Sequence, residues 1–301
     1  MSKTIKIWLI IATSLVILGA AIFVISTASV GWDFTKLGTG NYETKSYDIT
    51  EDFIDISIKT DTADIVFKPS DDGKCRVNCY EETKVKHSVF VSNGVLMVDM
   101  VDTRKWYDHI GIHFSSPKIT VYLPEVEYAS LKIDESTGDI ELSGAFRFEN
   151  IDISVSTGDV MCYAFATGDI KIATSTGDIN LANTALESLE VSVTTGDVKL
   201  SDILCKNFIS SGNTGNITLK NVIVEEKISI ERSTGDIKFD GADAAEIFAK
   251  TSTGDVTGSF LTDKVYIVET NTDDVDVPRT TTGGRCEITT GTGDISIKIK
   301  K

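Results

Sequence analysis

The chain has 301 residues, with 29 Lys and Arg against 45 Asp and Glu, giving a formal net charge of -16. Such an excess of acid argues against a nucleic-acid-binding surface, which needs concentrated Lys and Arg, and against attraction to anionic lipid. With 41% hydrophobic residues, 23 Gly and only 4 Pro, the composition is that of a folded chain.

Residues 1–30 read as a cytoplasmic tip and a membrane anchor. Ile7 to Val30 is an uncharged apolar run. As a helix it would reach roughly 36 Å, enough to cross a hydrocarbon core of about 30 Å. Lys3 and Lys6 precede it and would hold the N-terminus in the cytoplasm, leaving the bulk of the chain outside. The predicted location is therefore the cell membrane, with a single pass. The rival reading, a cleaved signal peptide, calls for a shorter apolar core, and Thr27-Ala28-Ser29 is a weak cleavage site. Residues 31–47 read as a short polar linker.

Residues 48–130 have strand grammar without a clean period. Ile54, Ile56 and Ile58 alternate toward Asp61-Thr62-Ala63-Asp64-Ile65. Val89, Val91, Val95, Met97 and Val98 mark another strand-rich stretch, and Ile119, Val121 and Leu123 form a strand ending at Pro124. This part is expected to supply irregular first coils, or a cap, for the column that follows. Asp102 to His113 is a loop rich in charge and aromatics, with Trp106, Tyr107, His109 and His113 as its candidate binding residues. The plainer reading is a loop packed over one end of the column. His109 and His113 on a strand would stand about 13 Å apart, too far to share one zinc.

Residues 131–301 repeat one phrase, first seen as Ser136-Thr137-Gly138-Asp139-Ile140. Its third residue falls at 138, 158, 177, 196, 215, 235, 254, 273 and 293, always 19 or 20 residues apart. The corner pairs are Gly138-Asp139, Gly158-Asp159, Gly177-Asp178, Gly196-Asp197, Gly215-Asn216, Gly235-Asp236, Gly254-Asp255, Asp273-Asp274 and Gly293-Asp294. Apolar residues recur seven and five positions before almost every corner, as at Leu189 and Val191, and two and four after it, as at Val198 and Leu200, with Ser210 and Gly258 as exceptions. That is period-two alternation on both sides of a turn, which a helix cannot use. A unit of this length cannot bury its own apolar face, whereas stacking units about 4.8 Å apart buries a continuous column. The predicted fold is all-β, a parallel β-solenoid with 19–20-residue coils, stacked in chain order to roughly 39 Å. An extra copy, Ala166-Thr167-Gly168-Asp169-Ile170, suggests two main corners per coil.

The corners are read as structural. Glycine takes special turn angles, and Asp and Thr side chains bond nearby backbone. Asn216 keeps that bonding without the charge, and Asp273 is tolerated because Asp enters left-handed space more easily than most residues. No cofactor is expected. The alternative is a calcium ladder, since stacked carboxylates would repel and a hard cation would relieve them. Against it, each corner supplies only one regular acid. Cys75, Cys79, Cys162, Cys205 and Cys286 are odd in number and irregular in spacing, so a disulfide scaffold is not implied. No carboxylate pair or nucleophile–base set stands out, so the chain is read as non-enzymatic, with a carbohydrate-active β-helix acting on acidic or envelope polysaccharide as the alternative.

The Ser/Thr-x-Gly-Asp-Ile/Val phrase, as at Ser136–Ile140 and Ser233–Ile237, follows an apolar strand ending in Leu-Pro at Ile119–Pro124. In that combination residues 50–300 resemble the DUF4097 family of bacterial adhesin-like domains. The resemblance implies an envelope-associated β-solenoid, often membrane-anchored, and an adhesion role resting largely on fold. It also raises a structural or sensing role in an envelope stress system. It carries over no catalytic residue. The expected partners are the membrane, through Ile7–Val30, and an envelope protein or polysaccharide, with no nucleic acid.

Overall fold

A computed structural model describes residues 2–29, 31–32, 41–106 and 116–300. The helix Lys3–Ser29 has 27 residues, long and apolar enough to cross a membrane. It carries no acidic residue, and its large apolar side chains, such as Leu15 and Phe23, are exposed. The rest is β-structure.

The repeats form a parallel β-solenoid in which each coil lies in register on the next. Leu131 pairs with Ile151, Ile151 with Ile170, Ile170 with Leu189, Leu189 with Phe208, and Phe208 with Ile228. All six are buried in one continuous core. Their alternation has a defined phase, and the phase slips at each bend. In Val198–Thr214 the buried residues are Val198, Leu200, Ile203, Cys205, Phe208 and Ser210. The slips fall near Asp202 and near Lys206-Asn207, which with the Gly-Asp corner make three bends per coil.

The sequence suggested two bends. The bend it missed carries a left-handed residue in successive coils: Asn183 (φ 60°), Asp202 (55°), Asn221 (52°) and Gly241 (68°). Asn, Asp and Gly are the residues that enter this region most cheaply. The extra phrase at 166–170 falls at the third bend, where the Asp169 amide donates to Asn150 Oδ1 at 2.9 Å.

Coil order departs from chain order at both ends. The last segment, Gly284–Ile299, does not lie outermost. It pairs on one edge with Glu246–Thr253 and Val256–Phe260, and on the other with Lys264–Thr270 and Val275–Asp276. The Asp273 coil is therefore the terminal one, and its Tyr266 and Val268 are only partly buried. At the opposite end, Asp55–Thr62 and Asp64–Pro69 are held between the 130–142 coil and strands contributed by residues 95–123. A segment laddered on both edges frays only by breaking both ladders.

Beyond that first coil the column becomes a two-layer cap. One layer adds Val95–Asp102 and then, antiparallel, Val85–Ser92. Asn93-Gly94 joins these two, both residues at positive φ, the form that suits a two-residue hairpin. The other layer adds Lys118–Leu123, then Cys75–Glu82 and Tyr42–Ile49, both antiparallel to their inner neighbour.

Candidate functional site

The Gly-Asp corners stack into one line along the column. Each corner aspartate accepts a hydrogen bond from the backbone amide of the next: Asp159 N–H to Asp139 Oδ1 at 2.9 Å, Asp178 to Asp159 at 2.7 Å and Asp197 to Asp178 at 2.8 Å. The line continues through Asn216, Asp236, Asp255 and Asp294, and reaches Asp64 at one end and Asp274 at the other. Asn216 accepts through Oδ1 from Asp236 at 2.8 Å, which accounts for the exchange. The carboxylates thus hold amides of the neighbouring coil, and peptide N–H groups offset part of their mutual repulsion.

Glycine at these corners meets two demands. Gly158 has φ 148°, and a Cβ there would lie 1.9 Å from the Gly138 carbonyl oxygen. Asp273, at the outermost corner, is not left-handed, contrary to the expectation from its chemistry. Its Oδ2 instead accepts from the Gly293 amide at 2.7 Å, where a threonine carbonyl serves in the coils before it.

The flat face preceding the corners carries a row of outward side chains. In stacking order these include Lys132, Asp152, Lys171, Glu190, Ile209, Ser229, Phe248 and Glu287. Lys171 Nζ lies 3.1 Å from Glu190 Oε1, and Lys132 Nζ lies 3.9 Å from Asp152 Oδ2. A shallow groove of about 440 Å³ follows this row and is lined by Lys132, Asn150, Asp152, Asp169, Lys171, Ser188 and Glu190. A second of about 200 Å³, lined by Glu231, Phe248, Lys250 and Glu287 among others, continues along the same face. Lys227 sits over the Phe248 ring at 4.4 Å. Ile209, between the grooves, is 52% exposed.

Of the sequence-selected loop residues, Trp106 is 77% exposed. Tyr107, His109 and His113 lie outside the described residues. The five cysteines are buried and free.

The cap holds a polar cluster that sequence reasoning passed over. Cys79 and Glu81 point inward from Cys75–Glu82, and His87 points inward from Val85–Ser92 in the opposite layer. His87 Nδ1 lies 2.9 Å from Glu81 Oε2, and Thr60 Oγ1 lies 2.9 Å from His87 Nε2. The His87 backbone amide also donates to Glu81 Oε2 at 2.6 Å. Glu81 is fully buried, and Cys79 Sγ, a Glu81 oxygen and a His87 nitrogen lie within 4.8 Å of one another, a donor set able to hold a metal ion. Burial pushes the Cys79 thiol up to about 12, aided by the Glu81 charge. The signal was present in the alternation Cys75, Val77, Cys79, Glu81, which predicts an inward carboxylate. The hydroxyl–imidazole–carboxylate order resembles a catalytic relay, but all three side chains are buried and the four described cavities are lined by other residues.

The family described as Toastrack DUF4097 matches residues 53–298. No curated protein matches the chain. Among solved structures, the chain is similar to a candidate lipid-binding protein from Parabacteroides distasonis ATCC 8503, at 16% identity and a TM-score of 0.51, over 87% of this chain and 98% of that one. It is also similar to a candidate adhesin from Bacteroides fragilis NCTC 9343, at 18% identity and a TM-score of 0.44, over 86% of this chain and 97% of that one. Likeness at such identity bears on the fold alone.

Proposed function

The chain belongs to the Toastrack DUF4097 family, and from that premise we propose that it is a membrane-anchored, non-enzymatic binding module of the bacterial envelope. The helix Lys3–Ser29 holds it in the membrane, and the solenoid is displayed on the extracytoplasmic side. The observation that carries the reading is the flat face from Lys132 to Glu287. It offers alternating charge, an exposed Ile209, a half-buried Phe248, and two shallow grooves in line. An extended polymer with hydroxyl and charged groups fits a surface of this kind, since groups repeated along the polymer meet side chains repeated along the column. An envelope polysaccharide is the partner that matches this chemistry best. The exposed Trp106 is the second contact of the same module that this reading assigns.

The test uses the full chain in nanodiscs, a panel of envelope and acidic polysaccharides, and binding read by interferometry with the polymer checked for shortening. Binding to at least one polymer is expected, weakened tenfold or more by Lys171→Glu with Phe248→Ala. Binding that ignores both changes removes the face from the account. Polymer cleavage abolished by one Asp or Glu substitution replaces the binding module with an enzyme.

A further inference from the structure

We propose that Cys79, Glu81 and His87 form a site for one divalent transition-metal ion, best matched by zinc, which ties together the two layers of the cap. The three donors come from facing layers and already converge to within 4.8 Å. A tetrahedral zinc ion with bonds of about 2.0–2.3 Å places its ligand atoms about 3.3–3.8 Å apart. Closing that gap takes side-chain movements of about 1 Å, with no change in strand register.

Two further observations point the same way. Glu81 is fully buried, and its Oε1 has no hydrogen-bond partner among the described residues. A buried carboxylate oxygen left unpaired is costly, and a cation is the partner that satisfies it most fully. The orientation of His87 is also set as in a metal ligand. Without the ion, Nδ1–H donates to the Glu81 carboxylate and the Thr60 hydroxyl donates to Nε2, 2.9 Å away. On metal binding the ring proton passes to Nε2, which then donates to Thr60 Oγ1, and the Nδ1 lone pair turns to the ion.

Charge balance agrees. A thiolate, a carboxylate and a neutral imidazole around a divalent ion sum to zero, which a low-dielectric interior tolerates. Binding displaces the Cys79 proton to solvent as the sulfur–metal bond forms, and a water supplies the fourth ligand. Thiolate, imidazole and carboxylate together favour zinc over calcium or magnesium.

The test uses the full-length protein in detergent under a non-thiol reductant, stripped with chelator and titrated with Zn²⁺, with bound metal counted by mass spectrometry. One equivalent is expected, together with a Tm that rises with zinc and falls back with chelator. Co²⁺ in its place should give a thiolate-to-metal charge-transfer band. Cys79→Ser and His87→Gln should each weaken binding a hundredfold or more, and Thr60→Val about tenfold. Cys205→Ser, at a buried cysteine far along the column, should bind as the wild type does. Folded wild-type protein that retains no zinc and shows no cobalt–thiolate band overturns the proposal, whatever the variants do. So does full-strength binding by Cys79→Ser.

Discussion

Glu135→Gln tests how the column tolerates a carboxyl group in its interior. Glu135 is 2% exposed. Its Oε1 accepts from the Ala63 amide at 3.1 Å, and its Oε2 is buried with no partner among the described residues. Burial, with a smaller push from Asp64 and Asp139, raises its pKa from 4.5 to about 8, while the Ala63 bond pulls the other way. The folded protein therefore keeps this proton up to pH 8, whereas the unfolded chain releases it near 4.5. Between those values the folded state binds more protons, so stability falls as pH rises, and the slope vanishes above the folded pKa. At 1.36 kcal/mol per pH unit, Glu135 alone costs about 4 kcal/mol between pH 5 and pH 8. Glutamine keeps the Ala63 bond and has no proton to lose. The assay is urea denaturation of the full chain in detergent, followed by far-ultraviolet circular dichroism from pH 4 to 9. The other carboxylates contribute equally to both proteins, so the difference between the two curves isolates Glu135. The variant should gain about 4 kcal/mol on the wild type across pH 5–8, whatever their offset at pH 5. Parallel curves would refute the reasoning and show that Glu135 is ionised in the fold.

The corner line makes two sharper predictions, read by the same denaturation. Asp178→Ala leaves the Asp197 amide without its 2.8 Å acceptor and should cost about 1–2 kcal/mol, while Asp178→Asn, which keeps an oxygen there, should stay within about 0.5 kcal/mol of wild type. Equal losses in both would mean that charge, as in a calcium ladder, sets the requirement. Gly177→Ala places a Cβ 2.0 Å from the Gly158 carbonyl oxygen at φ 139°, and should cost more than about 3 kcal/mol. A mild effect would show that the coils separate easily at the corner.

The fold class was legible because two periods coincide, two residues along each strand and 19 or 20 along the chain. The left-handed bend was equally present, at Asn183, Asp202, Asn221 and Gly241, but it is carried by one residue per coil of varying identity. The exchanged coil order was not legible. The residues that face inward in Gly284–Ile299 specify stacking on a neighbour without specifying which one. Its only trace is wear in the phrase. The regular line of corner glycines ends at Ala63 on one side, in the coil next to the cap, and at Asp273 on the other, in the terminal coil. The cap cluster stayed hidden because Cys79, Glu81 and His87 converge from two layers, and nothing in their spacing announces it.

Glu135 also identifies a rule of the interior that apolar periodicity conceals. The inward position three before each corner stacks as Thr60, Glu135, Val155, Thr174, Val193, Gly212, Arg232, Thr251 and Thr290. Most of these are polar, although the two inward positions before them on the strand are mostly aliphatic. The corner carbonyls supply the reason. Thr251 Oγ1 donates to Gly235 O at 3.0 Å and Thr290 Oγ1 to Gly254 O at 2.9 Å, each across to the neighbouring coil. The column thus has a dry core with a polar seam along its corner edge, where a hydroxyl finds a partner that the sheet ladders do not provide. Arg232 uses the same seam differently. It is 2% exposed, its Nη2 donates to Ser210 Oγ at 3.0 Å, and it occupies space left by the missing side chain of Gly212 in the adjacent coil. Burial pulls its guanidinium down to about 10, so it remains charged at neutral pH. The seam continues through Thr60 into the cap, where His87 and Glu81 take it up. The buried polar cluster in the cap is therefore an extension of the repeat's own internal chemistry, at the point where the regular corners stop.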